Sequence, residues 1–298
     1  MVGVWLSIRL LFTALQATKP RIARSLILEV SLIIPTRNRP QLLLRALASV
    51  CPLVKSIYVV DDGSSSAVKA EVEAISRSDT RAQLLSNDTC RGAAYCRNQG
   101  ASLAETNWLL FLDDDDQLSQ GYMGAMRLLV AAHPEVQAWI PNFQKGKSRM
   151  QSPVPLEDVS VRNAAGGCSG LLIRASLFSE MGGFDERLPA MQDWDLWIRL
   201  IERQALYYSG IEGVVYDFDS TQKITHNLKA KYLGLRRLYF KHFDEWTQSV
   251  RQEHLVRAWA LRQLLEPSGP RLFICIMRIL SWPKATIYYL KWGKFRDN

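Results

Sequence analysis

From Glu29 onward the chain alternates short apolar runs with longer stretches in which apolar residues recur every three or four positions. Runs with no polar face suit strands buried on both sides, and the three-to-four spacing suits helices with one buried face. VSLII (30–34) predicts a first strand that stops at Pro35. After the polar loop TRNR, Pro40 predicts the first turn of a helix, with Leu43, Leu44, Leu47 and Val50 at helical spacing. SIYVV (56–60) predicts a second strand ending in Asp61-Asp62-Gly63-Ser64. A helix over 67–77, a strand over AQLL (82–85), a helix over 93–105 and a strand over 108–112 follow. This alternation predicts an α/β fold, a doubly wound and mostly parallel sheet flanked by helices.

Past residue 134 the pattern loosens, and PNFQKGKSRMQSPVPLEDVSVRN (141–163) reads as a variable loop region where a substrate could be selected. GLLIR (170–174) predicts a strand, 175–181 a short helix, and GGFDE (182–186) a turn. Leu196, Trp197, Leu200 and Ile201 form an apolar stripe on a helix over 193–204 that begins at Asp193. VVYDF (214–218) predicts a last strand, and everything after about Lys223 reads as helical, basic and aromatic.

Composition narrows the class. With 298 residues, 48% hydrophobic and 22% charged, the chain can bury a sizeable core and is not a disordered protein. Its charge of +8 is uneven: residues 1–28 carry +4 and residues 220–298 carry +10, which leaves −6 for 29–219. An acidic centre between basic ends is not the footprint of a nucleic-acid reader, and it suits a cation-binding centre held against an anionic surface. Five cysteines (Cys51, Cys90, Cys96, Cys168, Cys275) without a CxxC pair argue against a disulfide scaffold or a thiolate zinc site, and favour a reducing compartment. No run is long and apolar enough to span a bilayer, and Arg9 interrupts the first apolar segment, so a cleaved signal peptide is not expected.

The candidate chemistry is carboxylate chemistry. The apolar run Trp108–Leu112 ends abruptly in Asp113, Asp114, Asp115 and Asp116. Four adjacent carboxylates repel one another, and either a solvated acidic turn or a divalent cation relieves that repulsion. In an extended segment Asp113 and Asp115 would share a face, and an oxygen-only ligand set suits Mg²⁺ or Mn²⁺. Asp61 and Asp62 end another strand, where a carboxylate can accept from a uracil N3–H or a ribose hydroxyl, although Asp-Gly is also an ordinary turn. Asp193 stands at a helix start, where it serves either as a cap or as a general base.

Taken in order, SLIIPTRNRP, VVDDGSS, RGAAYCRNQG, WLLFLDDDD, GGFDE and QDWDLWIRL resemble a family 2 glycosyltransferase of the GT-A fold, similar to bacterial enzymes of O-antigen and other surface polysaccharides. The resemblance covers about residues 30–220. It implies a GT-A catalytic domain over 29–222, with a nucleotide-binding half (29–130) and an acceptor half (131–222). A basic N-terminal extension (1–28) and a helical, basic C-terminal region (223–298) flank it. It implies Pro35, Thr36 and Asn38 at the nucleotide pocket, Asp61 on uracil or ribose, and Arg97 with Asn98 supporting the nucleotide side. Asp113 and Asp114 would lie near the nucleotide, Asp113 and Asp115 would hold Mn²⁺ or Mg²⁺, and Asp193 would be the catalytic base. His226 resembles a late histidine that some relatives direct at the metal. Two positions depart from the pattern: Gln192 stands where the family often has Glu, and Cys96 where it often has Ala, so that the base is less sharply fixed between Asp193 and Asp195.

The implied activity is inverting, metal-dependent transfer of a sugar from a nucleotide donor, expected to be UDP-linked, to a hydroxyl of a glycan or lipid-linked acceptor. The tail RLFICIMRILSWPKATIYYLKWGKFR (271–296) mixes interfacial aromatics with Arg and Lys, which predicts a cytoplasmic protein lying on the inner face of the plasma membrane. A sugar-1-phosphate nucleotidyltransferase would also use paired aspartates, but it would carry a glycine-rich loop after the first strand, where this chain has PTRNRP. A non-catalytic nucleotide-sugar-binding protein docked at a membrane would keep the pocket without needing Asp193.

Overall fold

The computed structural model describes residues 28–141, 154, 159–160, 163, 165–216 and 227–265. The chain divides into two compact units. The first comprises Met1–Pro155, Gly167–Gly183 and Arg199–Phe218, and the second Leu156–Gly166, Phe184–Ile198 and Asp219–Asn298.

In the first unit, β1 (Val30–Thr36), β2 (Ser56–Asp61), β3 (Ala82–Ser86) and β4 (Trp108–Phe111) are parallel neighbours in the order β3-β2-β1-β4. Helices α1 (Pro40–Ala48), α2 (Ser66–Arg77) and α3 (Ala93–Ser102) connect them. Beyond β4 the sheet continues through β7 (Leu172–Arg174), β6 (Ala138–Ile140) and β8 (Leu206–Tyr208), with β7 antiparallel to both neighbours and β8 parallel to β6. A separate two-stranded ribbon pairs β5 (Asp116–Leu118) with β9 (Val214–Tyr216). Helices α4 (Tyr122–Ala132) and α5 (Ala175–Glu180) complete this unit. The core lies on the sheet, where Leu32, Ile34, Val59 and Leu110 meet Leu43, Ala46 and Val72 of the helices, all 0% exposed. That burial is why the strands read as unbroken apolar runs.

Two local features depart from the sequence expectation. β1 does not stop at Pro35: Pro35 pairs with Val60 and Thr36 with Asp61. The Thr36 carbonyl accepts from Asp62 N on the β2 side at 2.9 Å, so the alternate residue Pro35 turns its missing N–H toward β4. The β4 ladder ends at Ile33, paired with Phe111, and the proline therefore costs no ladder bond. The last strand, described over Val214–Tyr216, pairs with β5 and not with the large sheet.

In the second unit, α7 (Leu228–Lys241) and α8 (Gln248–Leu265) accompany the N-terminal part of α6 (Gln192–Glu202). Trp246 stacks on His254 with centroids 4.0 Å apart, and Trp194 lies 5.0 Å from the same imidazole. Asn227 caps α7 by accepting from Ala230 N. No helix among the described residues is long and apolar enough to cross a membrane, and the 271–296 tail lies outside them.

Candidate active site

The C-terminal ends of β1, β2 and β4 bring their loops together in the first unit, the position where open α/β sheets take ligands. The acidic tetrad is not extended. Asp116 N donates to the Asp113 carbonyl at 3.1 Å, which folds Asp113–Asp116 into a turn between β4 and β5. The turn sends the four carboxylates to separate partners. Asp113 meets the Arg97 guanidinium. Asp114 points inward, accepting from Thr36 Oγ1 at 2.7 Å and facing Arg39 Nη2 at 2.6 Å. Asp115 lies 3.5 Å from Arg39 Nη1. Asp116 accepts from Ser169 Oγ at 2.6 Å, and Ser169 Oγ also accepts from Asp113 N at 3.0 Å.

Burial pushes the Asp114 carboxyl up to about 7, aided by Asp115 and Asp113, while Arg39 and Thr36 pull it the other way. The remaining three carboxylates, Asp113, Asp115 and Asp116, offer oxygens all within 4.8 Å of one another. That hard-oxygen set fits Mg²⁺ or Mn²⁺, and the guanidinium groups of Arg97 and Arg39 supply positive charge beside it. Of the expected metal ligands Asp113, Asp115 and His226, the first two lie in this cluster, and Asp116 joins them through the turn.

Asp61 is fully buried at the end of β2. Its Oδ1 accepts from Ser64 N and Ser64 Oγ, whereas Oδ2 has no hydrogen-bond partner among the described residues. A buried carboxylate oxygen left unmatched is costly, and a ligand donor would complete it. Asn38 sits at φ 54° in the β1–α1 loop and ties it to the β2–α2 loop. Its Oδ1 accepts from Ser65 N and its own N–H donates to Ser64 Oγ, both at 2.8 Å. Pro35 and Thr36 are buried at the end of β1, and Asn98 follows Arg97 on α3, half-buried.

Asp62 serves the neighbouring loop. It accepts from Arg91 N at 2.7 Å, Gly92 N at 2.9 Å and Cys90 Sγ at 3.1 Å. Burial alone would raise its pKa, but these bonds hold the carboxyl below its ordinary value. The bonds fix the loop that opens α3, the helix carrying Arg97. Gly63 is required in the β2–α2 turn that packs against this loop: its φ is +72° and a Cβ would lie 2.8 Å from the Thr89 carbonyl carbon.

In the second unit, Asp193 is half-buried in the first turn of α6. Oδ1 accepts from Trp194 N at 2.8 Å and Oδ2 from Asn163 Nδ2 at 3.0 Å. Asp195 differs: it is fully buried, 2.8 Å from Lys241 Nζ and 3.0 Å from His242 Nε2. His226 lies outside the described residues.

Residues 31–164 match the family described as "Glycosyl transferase family 2", and residues 154–254 match "Glycosyltransferase like family 2". The chain belongs to glycosyltransferase family 2. Membership bears out the family expectation and sets aside the nucleotidyltransferase alternative. The glycosyltransferase is 26% identical over 249 residues to the putative colanic acid biosynthesis glycosyl transferase WcaA of Escherichia coli K12, covering 78% of this chain and 88% of that one. A 90-residue stretch is 33% identical to the Escherichia coli UDP-Glc:alpha-D-GlcNAc-diphosphoundecaprenol beta-1,3-glucosyltransferase WfgD, covering 29% and 35% of the two chains. Staphylococcus aureus TarS 1–349 in complex with UDP-GlcNAc shares the fold at a TM-score of 0.57 and 16% identity, over 81% of this chain and 74% of that one. The mannosyltransferase PcManGT of Pyrobaculum calidifontis in complex with GDP-Man and Mn²⁺ shares it at 0.55 and 13%, over 88% and 83%. The GT-A fold of the glycosyltransferase is thus as expected.

Reasoning on the sequence missed Arg39, Asp116 and Ser169. Arg39 was visible as a basic residue in the loop after β1. Ser169 lies more than fifty residues from the turn it clamps, at |i−j| = 53 from Asp116, and no local signal marks it.

Proposed function

We propose that the chain is an inverting, metal-dependent glycosyltransferase that moves a sugar from a UDP-linked donor to a hydroxyl of a lipid-linked glycan acceptor in surface-polysaccharide synthesis. The observation that carries this reading is the convergence of Asp113, Asp115 and Asp116 at the carboxyl end of β4. In the same unit, Asp61 keeps an unmatched buried oxygen. The name of TarS in complex with UDP-GlcNAc supports the donor class, and the name of WfgD supports a diphosphate-linked lipid acceptor. The basic aromatic stretch 271–296 supports a place on the inner, anionic membrane surface.

Asp61 would accept from the uracil N3–H or a ribose hydroxyl, with Pro35, Thr36 and the Asn38-tied loop forming the wall of the nucleotide pocket. Arg97 would hold Asp113, and Arg39 would hold Asp114 and Asp115. A Mn²⁺ or Mg²⁺ ion on Asp113, Asp115 and Asp116 would supply charge neutralisation for the departing diphosphate. His226 is a further ligand candidate from sequence alone. Asp193 would take the proton of the acceptor hydroxyl as it attacks the anomeric carbon, and a single displacement inverts configuration without an enzyme nucleophile. Asp195 is less suited to that role, because Lys241 and His242 already engage it in a sealed site.

The test is a panel of nucleotide sugars scored for turnover with Mn²⁺ or Mg²⁺, in chelator, and with Asp115→Ala. Turnover should require the ion and fall by roughly a hundredfold or more in the variant, since the cation contributes several kcal/mol to the barrier. Full turnover by Asp115→Ala in chelator would overturn the proposal.

A further inference from the structure

The second unit holds a cavity of about 550 Å³ lined by Asp185, Arg187, Leu188, Arg237, Phe240 and Lys241. One wall is the Asp185–Leu188 turn. The other is a face of α7, on which 237, 240 and 241 fall at helical spacing. Asp185 is the single carboxylate of the lining among the described residues, bound by Arg187 Nε and Nη2 at 2.9 Å each and by Lys241 Nζ at 2.9 Å. Arg187 above all, and then Lys241, hold that carboxyl well below the usual range against the opposing effect of burial, so it remains a fixed anion. Arg237 is exposed and makes no ion pair among the described residues. Among the described residues the lining therefore sets three cations against one anion, with Asp195 behind Lys241 as a second, beside a phenylalanine that is 67% exposed.

A solvated basic face is the ordinary reading of exposed arginines. Three features separate this one from it. The cations line a concavity and not a convex helix surface. Phe240 leaves most of an aromatic ring in water next to them, with only the Tyr239 ring set edge-on to it at 5.4 Å among the described residues. The wall is also anchored: Lys241 is tied to Asp195 at 2.8 Å, and a Cβ at Gly234 would lie 2.5 Å from the Ala190 carbonyl oxygen, so α7 is seated against the segment leading into α6.

From this geometry we infer that the cavity binds the phosphate-bearing end of the lipid-linked acceptor, with Arg187 and Arg237 on phosphate oxygens and Phe240 with Leu188 against the first carbons of the lipid. Guanidinium groups match phosphate oxygens in pairs, and an adjoining aromatic suits a ligand that is anionic at one end and apolar at the other. The inference rests on the acceptor reading above and adds where that acceptor is held. Lys241 gives the placement consequence for chemistry, because its partner Asp195 lies on the same helix two positions from Asp193.

The test uses the full chain in EDTA, with geranyl diphosphate and inorganic pyrophosphate as probes in calorimetric titrations. Chelation removes the ion that a diphosphate would need at the aspartate cluster of the first unit. Geranyl diphosphate should bind in EDTA, Arg237→Glu should weaken it by about tenfold or more, and Asp115→Ala should leave it unchanged. Phe240→Ala should weaken geranyl diphosphate and spare pyrophosphate. Both substituted side chains are exposed, so loss of fold does not confound the reading. Absence of binding in EDTA, or binding indifferent to Arg237→Glu, overturns the site. Equal affinity for the two probes overturns the lipid assignment and leaves a free-anion site. Donor turnover is measured separately: if no nucleotide sugar reacts while the probe binds as described, the cavity stands and the transferase mechanism falls.

Discussion

Arg39 Nη2 stands 2.6 Å from Asp114 Oδ1, with the Asp114 side chain sealed from solvent and that of Arg39 only 19% exposed. A carboxyl buried so completely needs that guanidinium, because removing one partner of a buried pair strands the other. Arg39→Leu should therefore cost about 3 kcal/mol of stability, and Asp114→Asn in the same background should return much of it. Urea unfolding of the two single variants and the double variant measures the coupling. A coupling indistinguishable from zero would mean that the pair does not hold the acidic turn.

Asp61 tests the nucleotide side. Asn at this position can keep the Oδ1 acceptor that Ser64 uses, so the turn survives while the unmatched Oδ2 becomes a donor. If a nucleotide donates to that oxygen, Asp61→Asn should weaken UDP by roughly ten- to a hundredfold, the range for a hydrogen bond to a charged group. Titration of UDP into both proteins in the presence of Mn²⁺ reads this directly. Affinity within a factor of about two of the wild type would remove Asp61 from the nucleotide site.

Acid should loosen the second unit through His254. Its Nε2–H donates to the Ser160 carbonyl at 2.7 Å, and its buried Nδ1 has no partner among the described residues, so a second proton would meet no acceptor. Burial first, then Arg257 and His242, depress its pKa to about 4, while the Ser160 bond acts in the opposite sense. The unfolded chain's imidazole titrates near ~6.5, so between about pH 6.5 and about pH 4 the unfolded state binds the extra proton. Stability is thus present above that window and is lost as pH falls through it, by an amount on the order of 3 kcal/mol. His254→Phe, which can keep the stack on Trp246, should flatten the slope of unfolding free energy over that window. An unchanged slope would refute a neutral buried imidazole.

The parallel half of the sheet was legible because strands buried on both faces cannot hide their composition. VSLII, SIYVV and WLLFL reach β1, β2 and β4 with end shifts of a residue or two. Pro35 misled because proline usually breaks a ladder, and only the register shows that β4 has ended before its missing N–H matters. The ribbon of β5 and β9 was not legible as a pair: each strand has three residues, and their partnership across about a hundred positions leaves no periodicity. The same distinction governs the site. Asp61, Asp113 and Asp115 announce themselves as carboxylates at strand ends. The turn that buries Asp114 and brings Asp116 into the oxygen cluster depends on Thr36, Arg39 and Ser169, which are contacts in space and not in sequence.

Asp193 carries the sharpest prediction of mechanism. A general base must be open to its substrate and able to take a proton. Asp193 is half-buried and accepts from Trp194 N and Asn163 Nδ2, whereas Asp195, two residues on, is buried between Lys241 and His242. Asp193→Asn preserves the size of the side chain, so UDP-sugar affinity and the unfolding midpoint should stay near those of the wild type. Turnover should drop by roughly 10²- to 10⁴-fold, the usual contribution of a positioned base. Asp195→Asn should act differently, lowering stability by weakening the buried contacts to Lys241 and His242 and affecting turnover through that loss. If Asp193→Asn turns over normally while binding donor, the base lies elsewhere and Asp193 leaves the mechanism.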